Sequence, residues 1–229
     1  MTDPMQDAPR DPPSPASILD LFLRPTRFFR TTDLGYGRVW LVLAWVAGIS
    51  AAIDQIDKNL FRAALGEPRP GWYLWGQPVV ESWIKFWPWI LVAGVMAAAL
   101  VWYIGGWWFN LRIRWSGDRL ANRREGRLVY TFAGAVQSVP AVLYAVAATV
   151  LYESYYDAVM ADEIWSSVLL IFPLWSVGTS YRGVRSRFDV RPWPARFWFV
   201  ILPILALVVL LGLVGIAISM LARASGTVA

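Results

Sequence analysis

FWPWILVAGVMAAALVWYIGGWWF, residues 86–109, is the stretch whose reading decides the fold. It runs from Phe86 to Phe109 without one charged side chain. A bilayer core about 30 Å thick is crossed by about 20 helical residues at ~1.5 Å each. The stretch is therefore long and apolar enough to span. Only a helix closes its own backbone hydrogen bonds within such a segment in lipid. Its ends carry Trp87, Trp89, Trp107 and Trp108, and indole favours the bilayer–water interface.

Working outward, four further stretches have similar character. The first covers 38–56, centred on VWLVLAWVAGISAAI, with Asp54 at its far end. The others are 128–151 (LVYTFAGAVQSVPAVLYAVAATVL), 163–181 (EIWSSVLLIFPLWSVGTSY) and 197–221 (FWFVILPILALVVLLGLVGIAISML). The expected fold class is all-α: a polytopic membrane protein with five transmembrane helices and an N-terminal interfacial segment. Residues 1–17 read as a disordered tail, acidic and Pro-rich, without the basic and apolar runs of a signal peptide. Targeting is then expected through the first span. Residues 18–37 read as an interfacial amphipathic segment, helical up to Pro25, because Ile18, Leu19, Phe22, Leu23, Phe28 and Phe29 alternate with Arg24, Arg27 and Arg30. The membrane domain takes 38–221, and 222–229 form a short outer tail.

Composition agrees. The chain is 57% hydrophobic and 16% charged, against roughly 25% charged in a soluble domain. It has no His and no Cys. Disulfides, the usual zinc, haem and iron–sulfur ligands, and His- or Cys-based nucleophilic catalysis are thereby excluded. No P-loop, GxGxxG or GxSxG motif occurs. The sequence leads us to expect no enzyme activity and no cofactor.

The formal net charge is +5, and the basic residues are unevenly placed. Sixteen lie in the N-terminal segment, the second loop and the fourth loop, five in the remaining loops and the C-terminal tail. The positive-inside rule puts the N-terminus in the cytoplasm and the C-terminus outside, as in a multi-pass protein of the cell membrane. The basic loops would face anionic lipid headgroups rather than nucleic acid.

Ionisable residues inside spans are the strongest functional pointers, because each is expensive to bury. Asp54 is the nearest example, read either as a wet helix end or as a cation site. Gln137, mid-span beside Ser138, reads either as an interhelical hydrogen bond or as a substrate contact. Arg112, Arg114, Arg119, Arg123, Arg124 and Arg127 of the second loop read either as the topology signal or as lipid and partner contacts. Pro88, Pro140, Pro173 and Pro203 remove helix hydrogen bonds and either kink a gate or are tolerated. Glu153, Asp157, Asp162 and Glu163 form an acidic outer loop without a calcium-loop pattern. GEPRPGWYLWGQP (66–78), rich in Gly, Pro and Trp, is expected to fold back on the outer interface.

LRPTRFFR (23–30), WYIGGWWF (102–109), YTFAGAVQSVPAVL (130–143) and IFPLWSVGTSYRGV (171–184) give a pattern that resembles the Yip family, the Ypt/Rab-interacting membrane proteins, in its bacterial branch. Together these stretches cover most of residues 20–221. The DLYGP-type motif of eukaryotic members has only Asp20-Leu21-Phe22 as an echo here, so Rab-type binding does not carry over. The resemblance implies a non-catalytic protein of a bacterial inner membrane that recruits protein or lipid partners. A transporter or lipid-translocating protein is the alternative.

Overall fold

The computed structural model describes residues 11–161, 170–209 and 212. Among these the chain is all-α, apart from one isolated backbone bridge between Asp11 and Thr32. Helices α1 (Pro15–Leu23) and α2 (Pro25–Thr31) open the chain. Then come α3 (Val39–Ala64), α4 (Gln77–Val80), α5 (Trp83–Trp115), α6 (Arg123–Leu151), α7 (Tyr155–Ala161), α8 (Ile171–Arg187) and α9 (Pro192–Val209). Four of them, α3, α5, α6 and α9, are long and apolar enough to cross a membrane.

The sequence-based boundaries shift outward. α3 runs past residue 56 to Ala64, because Leu60 stays buried on the same face as Ile49 and Ile53. Lys58 also pairs with Asp54 one turn back. α5 takes in both ends of the 86–109 stretch, since Ile113 is buried one turn further on. α8 continues past Tyr181 to Arg187, carried by buried Gly183 and Val184. Residues 163–169 of the expected fourth span lie outside the described residues, so only its later part can be compared. Residues 210, 211 and 213–221 of the fifth, residues 1–10 of the tail and the outer tail 222–229 also lie outside them.

The N-terminal segment differs from a plain surface helix. Ser14 and Ser17 form a reciprocal capping box, with Pro15 in the first turn of α1. α1 ends at Leu23, just ahead of Pro25, and Pro25 itself starts α2, where a missing N–H is tolerated. Phe28 and Phe29 are fully buried, packed with Phe132 in a cluster that includes Leu21, Phe109, Ile113 and Phe199. Leu19 and Leu23, on the outer side of α1, remain exposed.

Helices approach closely where side chains are absent. Lipid gives apolar faces little reason to leave it, so packing of small residues must hold the helices together. At the α3–α5 crossing, a Cβ on Gly48 would lie 2.1 Å from the Gly94 carbonyl oxygen. Where α8 crosses α6, a Cβ on Gly183 would lie 2.9 Å from both Phe29 and Val129. The expected consequence is selective. Gly48→Ala should lower the thermal midpoint in detergent, since overpacking typically costs about 1–3 kcal/mol. Gly134→Ala, with nothing within 4 Å, should leave the midpoint unchanged or raise it. Equal midpoints for the two variants would refute the close crossing.

Candidate functional site

The two ends of the bundle differ in chemistry. One end gathers the N-terminal helices, the α5–α6 turn and the α8–α9 turn. The Arg191 N–H donates to the Ser116 carbonyl at 2.8 Å, and the Asp189 N–H donates to Asp118 at 3.2 Å. Asp11 is pinned there as well, exchanging backbone hydrogen bonds with Thr31 and Asp33.

The arginines at this end divide into two groups. Arg112, Arg127 and Arg187 turn inward. The Arg112 guanidinium lies 4.8 Å from the Phe199 ring centre and 5.3 Å from that of Phe109, and donates to the Trp198 carbonyl. Such stacking suits the planar, weakly hydrated guanidinium. Arg127 lies over Tyr103 and Trp102, and its stem fills the space left by Gly106. The Arg187 side chain is 2% exposed; it pairs with Glu125 at 3.1 Å and donates to the Thr32 carbonyl. Arg119, Arg123 and Arg124 are exposed, and Arg114 is half-buried. Of the six second-loop arginines, then, Arg112 and Arg127 are engaged with the bundle's own rings, and three stand on the surface.

Arg123 and Arg124 open α6 just after its cap, where Asn122 accepts the Arg124 N–H. Positive charge at a helix N-terminus opposes the macrodipole by about 0.3–1 kcal/mol per group. These two arginines therefore do nothing for their own helix. Asn110 secures the same turn, donating to the Gly106 and Arg123 carbonyls. Exposed Trp107, Trp108 and Trp115 lie on the neighbouring surface of α5.

At the opposite end, Trp83 donates to the Tyr152 carbonyl and Trp87 to the Thr149 hydroxyl, tying α5 to α6. Tyr155 stacks on Phe86 with ring centres 4.3 Å apart and donates to Asp57 at 2.6 Å. Burial, reinforced by the Asp57 carboxylate, pushes the Tyr155 phenol well up, which keeps it a donor. Ser154 caps α7: its hydroxyl accepts from the Asp157 N–H and donates to the Asp157 carboxylate, which occupies that side chain. Asp162 and Glu163 lie outside the described residues. No group of three acidic side chains gathers among the described residues.

Among the described residues Gln137 makes no interhelical hydrogen bond. It is exposed and faces a cavity of about 650 Å³ between α3, α6, α7 and α8. Asp54, Asp57, Tyr144 and Tyr155 share that cavity with a mainly apolar wall. Asp54 itself is exposed and paired with Lys58. The structure thus brings Asp54 and Gln137 to one cavity, and keeps both away from the second-loop arginines. The prolines do not act alike. Pro173 falls in the first turn of α8 and Pro88 early in α5, while Pro140 lies mid-helix and leaves the Val136 carbonyl without its usual donor.

Sequence reasoning missed the Arg187–Glu125–Thr32 junction. Arg187 reads as one more basic loop residue, and nothing local distinguishes it from Arg185 or Arg182. No family model, curated protein or solved structure matches the chain.

Removing one partner of a buried ion pair typically costs about 3–5 kcal/mol. Glu125→Gln should therefore destabilise the protein by roughly 3 kcal/mol. The double variant Glu125→Gln, Arg187→Met should be more stable than Glu125→Gln alone. Denaturant unfolding in detergent reads both, and a double variant no better than the single one would refute the pairing.

Proposed function

We propose that this chain is a five-span protein of a bacterial inner membrane, Yip-like in type, with its N-terminus in the cytoplasm and its C-terminus outside. On this reading it is a non-catalytic scaffold that recruits a lipid or protein partner at its arginine-rich end. The observation that carries the reading is the exposed set Arg119, Arg123 and Arg124, in the α5–α6 turn and at the start of α6. None of the three forms an ion pair within the described residues, Arg123 and Arg124 oppose their own helix dipole, and exposed Trp107, Trp108 and Trp115 stand on the preceding helix α5. Guanidinium beside indole suits an anionic headgroup layer, with the rings at the interface and the charges on phosphate. The role expected of the interfacial segment passes here in part to this surface, since Phe28 and Phe29 are buried.

One observation favours translocation as a second reading. Gln137 and Asp54 face one cavity between α3, α6, α7 and α8. Against a through-path stands the aromatic cluster of Phe28, Phe29, Phe109, Phe132 and Phe199 at the other end, each ring buried. A passage from the cavity to the arginine-rich end would have to part this cluster. Gln137→Leu separates the readings. It should leave partner and lipid retention intact if the protein is a scaffold, and should abolish lipid scrambling in proteoliposomes if it translocates.

Two further outcomes are expected. Alkaline phosphatase fused after Ala229 should be active, and fused after Arg124 silent; the reverse would sink the five-span topology. Replacing Arg119, Arg123 and Arg124 together with Gln should weaken retention of phosphatidylglycerol at this end by about tenfold, at roughly 1 kcal/mol per near-surface charge reduced by partial engagement. Native mass spectrometry of protein released from nanodiscs reads that retention and any stoichiometric protein partner. Wild-type retention in the triple variant, together with no bound protein, would count against the scaffold.

A further inference from the structure

A second groove lies on the side of the bundle, between α3 and α5, with a volume of about 560 Å³. Its floor is made of small side chains, Ala51 and Ala52 from α3 and Ala93 and Ala97 from α5, and exposed Met96 and Leu100 stand at its edge. The α5 stretch that lines it runs from Trp89 to Val101, about 18 Å at 1.5 Å per residue. That is the reach of one acyl chain through most of a leaflet.

The loop after α3 roofs one end of this groove. Gly71 adopts a left-handed conformation (φ 81°), which turns the chain so that Trp72 enters the core and Trp75 stays out. Gly76 then allows close approach, because a Cβ there would lie 2.1 Å from the Trp72 ring. The turn sets Arg69, Pro70 and Trp75 over the groove mouth. Among the described residues no carboxylate lines the groove. Arg69 is exposed and makes no ion pair among the described residues. Asn59 stands on the same wall, and its Oδ1 is buried without a hydrogen-bond partner. Its terminal torsion is soft, so turning the amide presents the oxygen to a donor in the groove.

We propose that this groove holds one phosphatidylglycerol-type anionic phospholipid, with an acyl chain along Ala93, Ala97 and Leu100, the phosphate at Arg69 and a glycerol hydroxyl donating to Asn59. The chemistry of the groove selects this occupant. Its walls belong to two helices apolar enough to cross a membrane, so the medium beside them is acyl chain. Its mouth offers one unpaired cation and one unsatisfied acceptor, which match a phosphate bearing hydroxyl groups. Trp75 at the rim marks headgroup depth. The site rests on the membrane reading above but not on the arginine-rich end, from which it is separated along the helices. It gives the Gly-, Pro- and Trp-rich segment 66–78 a role: it is the roof of a lipid site.

The test compares full-length protein released from nanodiscs of mixed phosphatidylglycerol and phosphatidylcholine, by native mass spectrometry. The wild-type chain should keep one tightly held phosphatidylglycerol. Arg69→Gln removes a charge-assisted hydrogen bond at the surface and should weaken that retention by about tenfold. Ala97→Phe fills the groove from its floor and should lose the lipid with helix content unchanged by circular dichroism. Should Ala97→Phe fail to fold, Arg69→Gln still decides. Undiminished retention in Arg69→Gln, or equal retention of phosphatidylcholine, would overturn the proposal. So would a wild-type dimer, lipid-free at the groove, that Ala97→Phe dissociates, since the occupant would then be a second copy of the chain. The Arg119, Arg123, Arg124 triple variant should keep this lipid, so the two lipid surfaces stand or fall separately.

Discussion

Arg187 brings a buried positive charge to a junction it shares with Asp33, Asn122, Arg124 and Glu125, and three segments are fixed by how that charge is met. Glu125, in the first turn of α6, supplies the counter-charge, and the Thr32 carbonyl, just after α2, supplies an acceptor. A guanidinium so enclosed is strongly unfavourable without such partners. The N-terminal segment, α6 and α8 must therefore meet at one point. One turn back along α8, Gly183 leaves the room that Phe29 and Val129 fill. From there the buried cluster spreads through Phe28 and Phe132 to Phe109 and Phe199, and so reaches α5 and α9. The N-terminal helices are in this way part of the bundle's core.

This junction explains why arginines of similar sequence setting have different roles. Arg112 and Arg127 sit on helices whose neighbours are rings, and a guanidinium can lie on a ring face and keep some of its hydration. Arg119, Arg123 and Arg124 sit in the α5–α6 turn and at the start of α6, exposed, and among the described residues no ion pair or ring stacking engages them. The first group holds the bundle together, and the second is what the bundle offers to its surroundings. The opposite end is organised by neutral hydrogen bonds from indole and phenol, with Trp83, Trp87 and Tyr155 joining α5, α6, α7 and the end of α3.

Between these ends the helices are held by close approach. Gly48 against Gly94 brings backbone to backbone, which gains dispersion where the hydrophobic effect gives little. The same smallness leaves shallow grooves beside the crossing, because alanine floors cannot fill them. A lateral groove is thus a direct consequence of how α3 and α5 are packed.

The sequence by itself determined the helical class and the apolar segments, since length, hydropathy and the bilayer's refusal to hydrogen-bond backbone are local properties. It also determined the segregation of basic residues, which is a matter of position along the chain. Helix ends were legible only roughly, because Leu60, Ile113 and Val184 extend their helices through burial against distant residues. Tertiary structure alone decided which polar residues meet. Gln137 was open between an interhelical hydrogen bond and a substrate contact, and the arrangement of four helices turned it to a cavity with Asp54. Phe28 and Phe29 carry the pattern of a surface-seeking helix, and only the space left by Gly183 and the faces of α6 and α8 draws them inside. Which arginine becomes a buried latch depends on what stands opposite it, and a linear sequence does not state what stands opposite.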